Sequence, residues 1–325
     1  MRESPLSSEP LRRRGGAGNA APCPVHIAMR AARALTSPLG LPLAAGARLV
    51  APVRADVGRS IRRSLGFRGD PPPREERDAR AFLAPGSVAR LVHSDLPSMV
   101  VGGLAALLLQ TLHPLAMAGV ADFSSYQEDP IGRLRRTAAF VGATTFGTAE
   151  EAERAIAHVR EVHRHIRGRA PDGRRYSASD PALLTWVHVA EVSSFLAASM
   201  RYGPHRLGPT ERDRYFAETA VVARSLGARW VPETQAEVED YFVSIRPELH
   251  AGLQALEARD FLLRGVARTP KDRAVYLGIV ASALAVVPRW ARIELGIPAP
   301  PLVDETLVAP AARVFCGALR WTLRP

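Results

Sequence analysis

Hydrophobic and polar positions follow a helical period from about residue 86 to the end of the chain. Apolar residues recur three or four positions apart, and no run alternates between apolar and polar residues as a half-buried strand would. Asp129-Pro130 and Asp180-Pro181 indicate helix starts, because aspartate caps a helix and proline suits its first position. Three glycines indicate helix ends: Gly147, Gly168 and Gly203. The pattern predicts an all-α fold, with a single helical domain over residues 86–325.

The first 85 residues have a different composition, rich in Pro, Gly, Ser and Arg, and "GDPPPREERDAR" at 69–80 is typical of a linker. Residues 1–80 hold 15 arginines and 7 acidic residues, so most of the chain's net charge of +11 lies there. We predict a flexible basic tail over 1–85, with an amphipathic helix as an option at 46–67. The nearly neutral remainder disfavours nucleic acid as a partner. Peripheral membrane contact through the tail stays open.

Three features bear on the compartment. Cys23 and Cys316 are the only cysteines and form no disulfide framework or zinc spacing. The N-terminus lacks the apolar core of a signal peptide, so we predict a cytoplasmic protein, with membrane association left open. The uncharged stretch at 99–120 is long enough to span a bilayer, but His113 and Pro114 near its centre favour a buried core helix.

A helix predicted over 130–146 has two faces. One is mixed and carries two arginines: Arg133, Arg136, Thr137, Phe140 and Thr144. The other is apolar and is predicted to be plain core: Ile131, Leu134, Ala138 and Val141. Either the two arginines pair with carboxylates from another helix, or they bind an anion or a polar ligand.

The next helix, predicted over 148–168, begins with a capping box formed by Thr148 and Glu151. His163 falls within its apolar stripe, whereas His158 and His165 fall on the opposite side. An inward histidine is either a hydrogen-bonded core residue or a ligand.

A third helix, predicted over 180–202, places a histidine and a carboxylate on one apolar face: Leu184, His188, Glu191 and Phe195. Buried polar groups need partners. Three interpretations remain open: His188 and Glu191 satisfy each other, Glu191 pairs with one of the arginines, or the face belongs to a metal or cofactor site with His163 or His188 as ligand. His113 is predicted to be a further inward histidine.

The ordered motifs "LLLQTLHPLAMAGV", "EDPIGRLRRT", "TTFG", "VHRHIRG", "YSASDPALLTWVH" and "RYFAE" resemble those of the latex-clearing rubber oxygenases and the endoplasmic-reticulum-bound oxygenase of mycophenolic acid biosynthesis. The resemblance covers residues 90–250 and extends less clearly to about 300. It implies a globin-like helical core that holds haem b. It also implies an oxygenase that uses O2 on a hydrophobic, alkene or isoprenoid-like small molecule.

The resemblance also implies roles for single residues. His163 matches the position of the family's proximal iron ligand, and imidazole is a common ligand of haem iron. Arg133, Arg136 and Thr137 match the family's distal pattern. Our hypothesis is that Arg133 and Thr137 donate hydrogen bonds to oxygen. A haem propionate is an alternative partner for Arg136. The rubber oxygenases have lysine where this chain has Arg136, and the glutamate proposed as their base has no match. We expect the remaining cofactor contacts from three residues: His113, His188 and Glu191.

Two alternatives belong to other classes. A non-haem iron enzyme would use two histidines and a carboxylate: His163, His188 and Glu191. A non-catalytic helical protein would use its basic tail to bind a membrane or a partner. The chain has no CxxCH, HExxH, nucleophile elbow or phosphate loop, so hydrolase, kinase and dehydrogenase functions have no support.

Overall fold

The computed structural model describes residues 78–265, 270–298, 300 and 304–323. Cys23, the helix proposed at 46–67 and nearly all of the predicted tail lie outside these residues. The described part contains twelve α-helices and one two-stranded sheet, which confirms the all-α class. The helices are α1 (Val88–His93), α2 (Leu96–Gln110), α3 (Pro114–Phe123), α4 (Pro130–Phe146), α5 (Ala149–His165), α6 (Pro181–Tyr202), α7 (Pro209–Leu226), α8 (Gln235–Ile245), α9 (Leu253–Arg264), α10 (Pro270–Leu284), α11 (Arg289–Glu294) and α12 (Ala309–Leu323). A 3₁₀ turn at Arg246–Glu248 and a π-helical turn at Asp304–Val308 complete the list. The globin-like arrangement stays a prediction.

The centre of the core is the pair α2 and α6, which pack along each other. Leu108, Leu109 and Trp186 are fully buried between these helices and their neighbours. The backbones approach closely at Gly102, where an added Cβ would lie 2.9 Å from Phe195 Cα. The helix α10 packs against α2, and α12 packs against both α2 and α6.

The apolar stretch at 99–120 is not one straight helix. It divides into α2 and α3, which are bent by 106° at a break that ends with His113, directly before Pro114 starts α3. Among the described helices, only α6 is by itself long and apolar enough to cross a membrane, and 67% of its apolar window is buried inside the protein. The bent pair of α2 and α3 passes the same test when counted together. The residues of α2 nevertheless pack as core, as the sequence predicts.

A short β-hairpin follows α5 and was missed by the sequence pattern. Its strands, β1 (Arg167–Arg169) and β2 (Arg175–Ser177), are antiparallel, with Gly168 opposite Tyr176. The helix α5 therefore ends at His165, and the prediction that Gly168 ends it is wrong. Glycine at position 168 instead makes room for Tyr176 on the opposite strand, because a Cβ there would lie 2.6 Å from the Tyr176 hydroxyl. That hydroxyl donates a hydrogen bond to Asp122 and so ties the hairpin to α3.

Two connections tie the ends of the described chain to the helices. Residues 78–85, which fall within the predicted tail, lie on the body: Phe82 N donates to Gly147 O at 3.2 Å, and Leu83 is buried. At the other end, Arg320 of α12 donates to both carboxylate oxygens of Asp95, the N-cap of α2.

Candidate functional site

The helices α4 and α5 form an antiparallel hairpin that carries two of the predicted site residues. Asp129 caps α4 by accepting a hydrogen bond from Gly132 N at 2.9 Å, and the Thr148–Glu151 capping box starts α5. Because only two residues connect these packed helices, they must run antiparallel. Arg133 and His163 both lie about four helical turns from the connection. The hairpin therefore brings them to the same open end.

Arg133 is half-buried and has no carboxylate partner in the part of the chain that the structure describes. Its guanidinium donates to Ser124 Oγ at 2.9 Å and lies 5.9 Å from the centre of the Tyr126 ring. Burial, with a contribution from the charge of Arg136, lowers the pKa of Arg133. The guanidinium is thus available for an anionic or polar ligand.

Arg136 and Thr137 are both exposed. The Arg136 side chain is 65% exposed and lies 3.5 Å from Asp129, the capping residue of its own helix. The interpretation that the two arginines pair with carboxylates of another helix is therefore wrong. It fails because Arg136 meets the capping residue of its own helix, whereas Arg133 meets a hydroxyl and an aromatic ring.

His163 is half-buried, and within the described chain its imidazole has no hydrogen-bond partner. Burial lowers its pKa, so the ring is neutral at neutral pH and a nitrogen lone pair is free for a ligand. His158 and His165 are exposed, as predicted. His165 bonds to Glu161 O at 3.0 Å.

Apolar side chains beside Arg133 and His163 face solvent instead of the core. Leu134 is 55% exposed and Val162 is 44% exposed, so the prediction that Leu134 belongs to plain core is wrong. Among the polar residues of α4 that the structure describes, only Thr144 and Thr145 are buried, and both lie at the closed end. The open end therefore presents an apolar surface with a cation and a neutral imidazole.

The predicted polar face of α6 exists. His188 is only 9% exposed, and burial, with a contribution from Arg224, lowers its pKa to about 4. Glu191 is half-buried, and desolvation raises its pKa to about 7. No hydrogen bond joins the two, and Glu191 contacts neither arginine of α4 among the described contacts. Both pairings considered from the sequence are therefore wrong.

His93 on α1 is a polar core residue that the sequence analysis missed. Its Nδ1 lies 2.8 Å from Thr145 Oγ1, and its Nε2 lies 3.0 Å from the Tyr215 hydroxyl. Burial and nearby His188 lower its pKa to about 3. The six-residue helix α1 is too short to give a periodic signal. The only indication of its site in the sequence was indirect: the motifs "TTFG" and "RYFAE" contain its partners, Thr145 and Tyr215.

His113 lies apart from this group. Its ring contacts Trp186, with centroids 6.1 Å apart, and its Nε2 lies 3.8 Å from Glu248. Trp186 and His188 are two residues apart and so project from roughly opposite sides of α6. The structure brings His188 and Glu191 together but leaves His113 across the helix.

One comparison with known protein families gives a match over most of the described chain. Residues 90–321, more than half of the chain, match the family model described as "ER-bound oxygenase mpaB/B'/Rubber oxygenase, catalytic domain". The chain belongs to this family. No curated protein and no solved structure matches it. As a member of the mpaB/rubber oxygenase family it is an oxygenase, and the family implies O2 and an organic substrate as reactants.

The open end of the hairpin in this mpaB/rubber oxygenase family member fits a haem group on its donor chemistry. His163 offers a ring nitrogen that no described residue engages, Leu134 and Val162 offer apolar surface, and Arg133 offers a positive charge without a carboxylate partner among the described residues. The non-haem alternative fits less well. Within residues 78–265, 270–298, 300 and 304–323 there is no group of three or more His, Cys, Asp or Glu side chains that could hold a metal ion. The donor set of His163, His188 and Glu191 is not assembled.

Proposed function

We propose that the protein is a haem b-dependent oxygenase that acts with O2 on a hydrophobic, alkene or isoprenoid-like substrate. Family membership supports the oxygenase part. The observation that supports haem is the half-buried imidazole of His163, which no described residue engages and which lies at the same end of a hairpin as Arg133. Haem, when bound, would supply the redox chemistry with O2 that amino-acid side chains lack.

His163 would hold the iron through one ring nitrogen. Its lowered pKa favours this role, because a protonated imidazole has no lone pair to donate. No carboxylate or carbonyl competes for the ring among its described neighbours, so ligation would break no hydrogen bond.

Arg133 and Thr137 lie one turn apart on α4 and so face the same side. We assign them the donation of hydrogen bonds to oxygen as negative charge develops there during the reaction. Donors fixed on a helix need little reorganisation for this task. Arg136 would exchange its exposed contact with Asp129 for a haem carboxylate. Such an exchange is inexpensive because exposed ion pairs contribute little stability.

Leu134 and Val162 would line the apolar surface that meets the macrocycle and excludes water from it. The exposure of both side chains is explained if a large apolar group covers them. An apolar alkene is the substrate type that suits such a surface.

The test is the haem content of the purified protein, measured by its Soret band and by the pyridine haemochrome assay. His163→Ala should lose stoichiometric haem. The matched control is His165→Ala, since His165 lies two residues away and is exposed; this variant should keep the haem of the wild type. Normal haem content in His163→Ala would overturn the ligand assignment. A lack of haem in the wild type after reconstitution would overturn the haem proposal.

A further inference from the structure

Three arginines lie close together near the start of α4, and they differ in how the rest of the protein holds them. Arg135 is exposed and makes no hydrogen bond or ion pair with the residues that the structure describes. Arg136 is also exposed, and its described contact is with Asp129, the cap of its own helix. Arg133 is half-buried and contacts two residues of the connection between α3 and α4. Of the three, Arg133 is therefore the one that is held from outside its helix.

The connection holds the guanidinium of Arg133 through two different contacts. Ser124 Oγ accepts a hydrogen bond from Nη1 at 2.9 Å. The centre of the Tyr126 ring lies 5.9 Å from Cζ, within the range of a cation–π contact. No described residue accepts a hydrogen bond from Nε or Nη2 of Arg133. The two contacts therefore restrain the group and leave N–H donors free for a ligand.

The connection is itself anchored to two helices. Ser124 is the C-cap of α3, and its N–H donates to Val120 O at 3.0 Å. The Tyr126 ring meets Phe261 of α9 edge to face, with the ring centroids 5.4 Å apart. It also packs against a buried cluster from α3 and α9: Met117, Ala255 and Ala258. The helices α3 and α9 thus hold the ring that contacts Arg133.

The contact with Arg133 depends on the ring of Tyr126 and not on its hydroxyl. The hydroxyl accepts a hydrogen bond from Gln127 Nε2 at 3.0 Å, whereas the flat guanidinium suits an aromatic surface. A free arginine side chain loses rotamer freedom when it binds a ligand. One that is already held in place donates hydrogen bonds with little reorganisation.

We propose that Ser124 and Tyr126 are positioning residues that hold Arg133 in the orientation in which it donates hydrogen bonds to the ligand. The inference rests on the proposed function for the role of Arg133. It adds the connection between α3 and α4 to the site. Ser124 and Tyr126 act through Arg133, and neither is assigned a contact with the reacting atoms.

The first test measures the mobility of arginine side chains in the purified full-length protein without added haem. Nitrogen-15 relaxation gives the order parameter of each Nε–Hε group, and the signals of Arg133 and Arg135 are identified by their loss in the corresponding lysine variants. The order parameter of Arg133 should exceed that of Arg135. Tyr126→Leu should lower it towards the value of Arg135, whereas Tyr126→Phe keeps the ring and should retain it. Equal order parameters in the wild type, or no change in Tyr126→Leu, would overturn the proposal.

A serine pair tests the second contact. Ser124→Ala removes the acceptor of the Arg133 hydrogen bond and should also lower the order parameter of Arg133. The matched control is Ser125→Ala, because the neighbouring serine is exposed and its side chain makes no hydrogen bond with a described residue; this variant should behave as the wild type does. Equal Arg133 mobility in the two variants would overturn the role of Ser124. Should Tyr126→Leu not fold, this comparison still decides.

A second readout connects the position of Arg133 to the ligand. In the reduced, CO-bound haem protein, a positively charged donor near the bound CO lowers the C–O stretching frequency measured by infrared spectroscopy. The frequency should rise in Arg133→Leu, rise partway in Tyr126→Leu and keep the wild-type value in Tyr126→Phe. A frequency that rises in Arg133→Leu but stays unchanged in Tyr126→Leu would overturn the positioning role.

The two tests separate this inference from the proposed function. A wild type that binds no haem would overturn the proposed function, while nitrogen-15 relaxation would still show whether Ser124 and Tyr126 hold Arg133. A wild type that binds haem, with an Arg133 order parameter that Tyr126→Leu and Ser124→Ala leave unchanged, would overturn the inference alone.

Discussion

The pair of α2 and α6 and the hairpin of α4 and α5 are both built from two packed helices, but they differ in what they bury. Trp186, Leu108 and Leu109 in the first pair are fully enclosed. In the second, Leu134 and Val162 are left exposed at the open end, beside an imidazole and a guanidinium that lack strong partners. The comparison favours a division of stability and function, in which the first pair is the scaffold and the second carries the proposed ligand surface.

The largest effect should follow from truncation of the scaffold. Trp186→Ala removes a fully buried indole whose N–H lies 3.4 Å from Gln110 O, and should lower the free energy of unfolding by about 3–5 kcal/mol. Trp230→Ala is the matched control, because Trp230 is 54% exposed; it should cost about 1 kcal/mol or less. Urea unfolding followed by circular dichroism gives both values. Equal losses would contradict the proposed division.

A second scaffold contact should have a somewhat smaller effect. Burial alone would raise the pKa of Asp95, but hydrogen bonds from Arg320 and Ser98 outweigh it and hold that pKa below its usual value. Arg320→Ala leaves the buried carboxylate unpaired and should cost about 3 kcal/mol at pH 7. Arg154→Ala breaks an exposed pair with Glu150 and should cost almost nothing.

The pH dependence of this contact has a definite sign. Because the folded-state pKa of Asp95 is lowered, its contribution is present above the unfolded pKa of about 3.9 and is lost as the pH falls through the folded value. The stability difference between wild type and Arg320→Ala should therefore shrink in acid. A difference that is constant from pH 7 to pH 3 would contradict the assignment.

Glu191→Leu should act in the opposite direction and stabilise the protein by about 1–2 kcal/mol at pH 7.5, because it removes a desolvated carboxyl to which no described residue donates a hydrogen bond. Desolvation raises the folded pKa of Glu191 to about 7, so the wild type loses stability as the pH rises from the unfolded pKa of about 4.3 through 7. The gain from leucine should grow over that range. Glu153→Leu, at an exposed position of α5, serves as control, and a destabilised Glu191→Leu would indicate a structural partner.

The smallest effect on stability is expected at the open end of the hairpin. Leu134→Gln and Val162→Gln replace exposed side chains and should change the free energy of unfolding by about 0.5 kcal/mol or less. Haem content after reconstitution should nevertheless fall in both, because the apolar surface is lost. Unchanged haem content together with unchanged stability would mean that these residues contribute neither to haem binding nor to the stability of the fold.

The local signals in the sequence were sufficient for much of this picture. The capping residues Asp129 and Thr148 start their helices as predicted, and His188 and Glu191 share a face of α6 as the helical period requires. Such features depend on neighbours within one or two turns, which the sequence shows directly.

The failures concern contacts between distant segments. Periodicity identified Leu134 as apolar, but it could not show that this side chain is left exposed at the open end of the hairpin. Gly168 looked like a helix stop, although its small size serves the approach of Tyr176 from the opposite strand. His93 gave no signal because its partners, Thr145 and Tyr215, come from two other helices.

The central claim, that the open end of α4 and α5 is a ligand surface on a separate scaffold, is tested most directly by hydrogen–deuterium exchange of the purified protein with and without added haem. Peptides that cover residues 131–140 and 158–165 should exchange several-fold more slowly with haem, while those of α2 and α6 stay unchanged. No added protection at the open end, or protection confined to α2 and α6, would contradict it.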